Sequence, residues 1–142
     1  MIFGQDRDEL RRMYGEAWES AKRGAVLTPL QIQIVSVIQE HPEYQSVIED
    51  SSDSVEFLPE RGESNPYLHM GLHLAIREQI ATNRPAGIGA VFRQLAKAAG
   101  DAHTAEHAML ECLAESLWEA QRDHAPPDEQ RYLERLRELG RR

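Results

Sequence analysis

The segment Thr28–Ile38, TPLQIQIVSVI, decides the fold class, because it can be interpreted either as a helix or as a strand. Its many β-branched residues and its partial alternation of apolar and polar positions are typical of a strand. Thr28 followed by Pro29 is instead a helix start, since threonine caps the first turn and proline fits the first helical position. We therefore predict a helix here, and with it an all-α protein.

Similar start and stop signals recur along the rest of the chain. Asn65-Pro66 repeats the cap followed by proline, and Asp101 is placed to cap a long helix that ends near Arg122. Helix breaks are expected at Gly24, Pro42, Arg84-Pro85, Gly100 and Pro126-Pro127. These signals predict a bundle of about six or seven helices.

We expect residues 1–142 to form a single helical domain. Its main loop should be the polar stretch around residues 50–64, which is rich in Ser, Asp and Glu and contains Pro and Gly. From about residue 127 a last, highly charged helix should follow, with a narrow apolar stripe along one face.

Charge and composition exclude several classes of partner. The formal net charge is −8, without a concentrated basic face, so we expect neither nucleic acid nor a membrane as a partner. A basic protein, or a second copy of the chain docked on the last helix, remains compatible with this charge. The single cysteine, Cys112, fits a reducing compartment, and we see neither a signal peptide nor a bilayer-spanning run. A cytoplasmic location is therefore expected.

Four of the six histidines form two pairs with the same spacing. The segment HMGLH carries His69 and His73, and HTAEH carries His103 and His107. Residues four apart lie about 40° from each other around a helix, and both pairs fall at the edge of an apolar stripe. If the two helices pack antiparallel with these edges facing, the four imidazoles should converge.

Two carboxylates accompany the second pair. Glu106 falls near the centre of the apolar stripe, and Glu111 follows His107 by one turn at its edge. Imidazole with carboxylate suits a transition metal such as Zn or Fe, held inside a helical bundle. The predicted ligands are His69, His73, His103, His107, Glu106 and Glu111. No reaction or substrate follows from them.

A second interpretation stays open at this stage. The histidines can instead form hydrogen bonds in the core, with Glu106 paired to one of them or to Arg77 or Arg93. The protein would then be a non-catalytic structural or protein-interaction module.

Three known patterns match less well. HTAEH fits the inverted zinc-peptidase motif, but too little chain follows it for a third ligand and a substrate cleft. Neither pair has the Glu-x-x-His spacing of ferritin-like sites. A hemerythrin-like set of metal ligands would include His41, which lies at a helix end where capping is the favoured role.

We further expect Cys112 to be buried, and Trp18 and Trp118 to anchor the core.

Several segments together carry a family resemblance: LTPLQ, EHPEY, NPYLHMGLHLAIREQ with RPAGI, and AHTAEHAMLECLAESLWEAQR with PPD. The chain resembles domain-of-unknown-function family 1841, a family of small bacterial helical proteins. The resemblance covers nearly the whole chain and implies a single helical domain. It implies no activity, substrate or cofactor, so it does not choose between the two interpretations.

Overall fold

The computed structural model describes residues 3–50 and 65–141, and the side chains of 9–49 and 65–141. Within those ranges the chain forms seven α-helices and one 3-10 turn, and no strand. The helices are α1 Phe3–Lys22, α2 Pro29–Gln39, α3 Gln45–Asp50, α4 Pro66–Thr82, α5 Ile88–Ala99, α6 Ala102–Arg122 and α7 Glu129–Leu139, with the 3-10 turn at Pro42–Tyr44. The all-α prediction is confirmed, whereas nearly all of the predicted polar loop lies outside the described residues. None of the described helices is both long enough and apolar enough to cross a bilayer.

Segment Thr28–Ile38 is helical because its first turn is capped. The Thr28 hydroxyl accepts a hydrogen bond from the Gln31 N–H at 3.1 Å, and the Gln31 side chain accepts one from the Thr28 N–H at 2.9 Å. This reciprocal pair satisfies two amides that the helix itself leaves without partners. Four of its β-branched residues, Ile34, Val35, Val37 and Ile38, are buried on one face of the helix, so the strand interpretation is wrong.

Contacts divide the chain into two compact units, residues 1–74 and 75–142, with the boundary inside α4. The core of the first unit is a cluster of side chains from α1 to α4: Tyr14, Ala17, Ile34, Val35, Val37, Ile38, Ile48, Tyr67 and Met70. Full burial of an Ile, Val or Met side chain contributes roughly 1.5–3 kcal/mol. Trp18 packs against this cluster and donates its indole N–H to Glu49 at 3.0 Å. Trp18 is thus a core anchor, as predicted.

The second unit packs α5, α6 and α7 on one another. Its buried apolar side chains are Ile88, Val91, Leu95, Ala105, Met109, Leu110, Cys112, Leu113, Tyr132, Leu133 and Leu136, together with Ile76 from the end of α4. Asp101 caps α6 as predicted, accepting the Thr104 N–H at 2.8 Å. The buried position of Cys112 is also confirmed.

Trp118 is not a core anchor, and that prediction is wrong. Its side chain is 59% exposed, and the guanidinium of Arg122 lies over its ring at 4.9 Å. The buried position in this turn of α6 is Ser116, whose hydroxyl accepts a hydrogen bond from Arg135 of α7 at 3.3 Å. In the last turns of α6 the buried face is therefore the one that carries Ser116, which α7 covers. Trp118 lies outside that face.

Candidate metal centre

His41 lies between the end of α2 at Gln39 and the start of the 3-10 turn at Pro42. Pro42 has no N–H to continue a helix, so α2 ends before it. The His41 ring is 3% exposed, and its Nδ1 lies 2.8 Å from the carbonyl oxygen of Val37. Since a carbonyl can only accept, Nδ1 donates the hydrogen bond in this contact, and Nε2 is the ring nitrogen through which a metal would be bound. The predicted capping role is confirmed, and the ring is also left with one nitrogen able to bind a metal.

His69 and His73 occupy successive turns of α4. The side chain of Asn65 caps this helix by accepting the Tyr67 N–H at 2.9 Å. The two Nε2 atoms of the pair lie 3.1 Å apart and share a hydrogen bond, with His73 fully buried and His69 half-buried. In a tetrahedral site with Zn–N bonds of 2.0–2.1 Å, two ligating nitrogens would lie about 3.3 Å apart. The spacing of the pair is therefore close to that of two ligands on a shared ion.

The three imidazoles of the first unit converge. The ring centroids are 5.0 Å apart for His41 and His69, 4.7 Å for His41 and His73, and 4.8 Å for His69 and His73. Each residue offers one ring nitrogen, and these nitrogens all lie within 4.8 Å of one another. Movements of about 1 Å per ring would bring all three to bonding distance of one ion.

His41 is the functional candidate that sequence reasoning left out of the ligand set. Capping was the favoured role because the residue stands alone at a helix end. The two roles are compatible, because capping uses Nδ1 and a metal would be bound through Nε2. The signal that could have found it was the hemerythrin-like arrangement, which includes a single histidine beside an HxxxH pair.

The second pair, His103 and His107, lies on α6 in the other unit. Its ring centroids are 4.5 Å apart, and both side chains are half-buried. The two predicted pairs belong to different units, so their convergence stays a prediction.

The two predicted carboxylates differ in their surroundings. Glu106 is 5% exposed, as its position near the stripe centre predicted, and Arg77 donates its Nε–H to it at 3.0 Å. Arg77 was one of the partners expected if the histidines form a core polar network. Glu111 is exposed. Glu106 is therefore already charge-compensated, whereas Glu111 is open to solvent.

The cluster of His41, His69 and His73 is a set of three imidazole nitrogen donors. Such donors suit Zn, Fe, Cu or Ni, whereas Mg and Ca prefer oxygen ligands. The hydrogen bond from His41 to a backbone carbonyl is also the kind of outer contact that fixes a ligating imidazole. The chemistry of the donors therefore fits a transition metal.

The fold and this cluster define an all-α protein with a candidate metal centre. The chain belongs to the family described as domain of unknown function (DUF1841), whose model matches residues 6–138. The match spans nearly the whole chain and confirms the family resemblance found in the sequence. No curated protein and no solved structure matches the chain.

Proposed function

We propose that this protein binds a transition metal ion, Zn or Fe, with His41, His69 and His73 as its ligands. The observation that carries the proposal is the convergence of three imidazole nitrogens within 4.8 Å of one another in a mostly buried site. Buried imidazoles are usually satisfied by hydrogen bonds to acceptors or by a metal. A metal ion would accept the lone pairs of all three rings at once.

Three protein ligands leave a position open on a tetrahedral ion, as at catalytic zinc sites. The sequence-predicted donors of α6, His103, His107 and Glu111, are our candidates for that position. Glu106 is the weakest of the predicted ligands, because its charge is already matched by Arg77. We extend the proposal to a cytoplasmic location, which the single reduced cysteine supports.

Metal content of protein purified without a histidine tag tests the proposal. We expect one equivalent of metal by elemental analysis, or tight binding of added Zn²⁺ to the metal-free protein. His73→Ala should abolish binding, because it removes the most buried ligand. His124→Ala is the matched control, since His124 is exposed in the segment between α6 and α7. If the wild type binds no metal, or if both variants bind equally well, the proposed ligand set is wrong.

A second candidate function is favoured by the ion pair between Arg77 and Glu106. If the protein is a non-catalytic structural or interaction module, we expect a buried carboxylate with a compensating positive charge at this position. Under that candidate the histidines only stabilise the fold, and added metal would not change the melting temperature of any variant. The same comparison of wild type with His73→Ala therefore separates the two candidates.

A further inference from the structure

Tyr44 borders the histidine cluster. Its ring stacks on His41 with the centroids 5.3 Å apart and the two planes inclined by only 5°. The same ring meets His69 at 75°, with the centroids 5.9 Å apart. One half-buried side chain thus contacts two of the three proposed ligands, one from the 3-10 turn and one from α4.

The stacking follows from the backbone of the sequence HPEY. In a 3-10 turn, residues three apart lie directly above one another. The Tyr44 N–H donates to the His41 carbonyl at 2.9 Å and closes such a turn, and Pro42 fixes its first dihedral angle. The two rings are therefore brought parallel by the turn itself.

Two contacts together define the direction of His41 Nε2. The hydrogen bond from Nδ1 to Val37 holds one edge of the ring but permits it to pivot about that bond. Stacking on Tyr44 fixes the plane of the ring. With both contacts in place, the direction of the remaining nitrogen is restricted, so less side-chain freedom is lost when an ion binds.

We propose that Tyr44 is a positioning residue, whose aromatic face holds the planes of His41 and His69 so that their nitrogens point to a common ion. This inference rests on the proposed metal site. The ring makes both contacts, so the hydroxyl is not required.

Two substitutions at Tyr44 distinguish the role of the aromatic ring from that of the hydroxyl. Tyr44→Phe keeps the aromatic face, and we expect its affinity for Zn²⁺ and the visible spectrum of its Co²⁺ complex to match the wild type. Tyr44→Leu keeps bulk without a flat face, and its affinity should fall by about 10–100-fold, the usual effect of removing a group that orients a ligand. Its Co²⁺ spectrum should also change, because the ligand geometry is no longer fixed. Equal affinity and equal spectra for all three proteins would overturn the positioning role while leaving the metal site standing.

A measurement on the metal-free protein tests the positioning role of Tyr44 independently of metal binding. Nitrogen-15 NMR should show His41 as the Nδ1–H tautomer with a slowly exchanging proton in the wild type and in Tyr44→Phe. In Tyr44→Leu that proton should exchange faster. If the wild type binds no metal, the proposed function fails, and an unchanged His41 signal in Tyr44→Leu would then overturn the positioning role as well. Should the leucine variant not fold, Tyr44→Met provides the same comparison.

Discussion

At the residue scale, the contact between Arg77 and Glu106 joins a buried carboxylate to a part-buried guanidinium. The two side chains are 20% and 7% exposed, so either group left alone would carry a large desolvation cost. Sequence reasoning could place Glu106 on the buried side of α6 from periodicity. It could not select Arg77 among several cations, because that choice depends on how α4 and α6 approach.

Glu106→Gln should lower the free energy of unfolding by up to roughly 3–5 kcal/mol, because it removes the negative charge from the ion pair with Arg77. Adding Arg77→Met to this variant should recover part of the loss, since the uncompensated charge is then removed. Urea denaturation of the two single variants and the double variant measures the coupling. Additive effects would show that the pair does not act as a unit.

Tyr14 should make the protein sensitive to alkali. Burial, and secondarily Tyr67, raise the pKa of Tyr14 to about 12 from its ordinary value of 10.0. A folded-state pKa above the unfolded value means that the stabilisation is complete below pH 10 and is lost as the pH rises through 12. The loss corresponds to about 3 kcal/mol for a shift of this size.

Tyr14→Phe tests this pH dependence without removing the ring. Among the described residues the Tyr14 hydroxyl has no hydrogen-bond partner, so its removal at neutral pH should change stability by less than about 1 kcal/mol. Above pH 10 the variant should lose stability less steeply than the wild type. Some alkaline sensitivity should remain, because burial also raises the pKa of Tyr132. Parallel stability profiles up to pH 12 would contradict the assignment.

At the element scale, helix ends were the most predictable feature. The start of α2 and the start of α6 follow from Thr28-Pro29 and Asp101, because a cap is a local interaction encoded within four residues. The end of α5 at Ala99 agrees in the same way with the break predicted at Gly100. The error at Trp118 came from the end of a long helix, where the neighbouring helix rather than periodicity decides which face is buried.

Thr28→Ala should destabilise the first unit by about 1 kcal/mol, the usual cost of losing an N-cap side chain. Thr28→Ser is the matched control, because its hydroxyl can accept the same hydrogen bond from Gln31. Chemical denaturation should place the serine variant near the wild type and the alanine variant clearly below it. Equal losses for both would mean that the threonine methyl group, rather than the cap, stabilises α2.

On the scale of the whole molecule, the sequence predicted two of the three residues of the candidate site. Spacing alone identified His69 and His73, because an i, i+4 pair is a property of a single helix. His41 could not be added with the same certainty, since it reaches the pair only through the packing of the 3-10 turn against α4. Its capping bond to Val37, which is local, was predictable, whereas its contacts to the other two imidazoles were not.

Thermal unfolding with and without metal tests the central claim most directly. An ion that binds only the folded state raises the melting temperature in proportion to the logarithm of its concentration over the dissociation constant. For the wild type and for His124→Ala we predict a clear rise with Zn²⁺ or Fe²⁺, and for His73→Ala we predict none. A wild type whose melting temperature is the same with every transition metal ion, and that contains no metal as purified, would contradict the account.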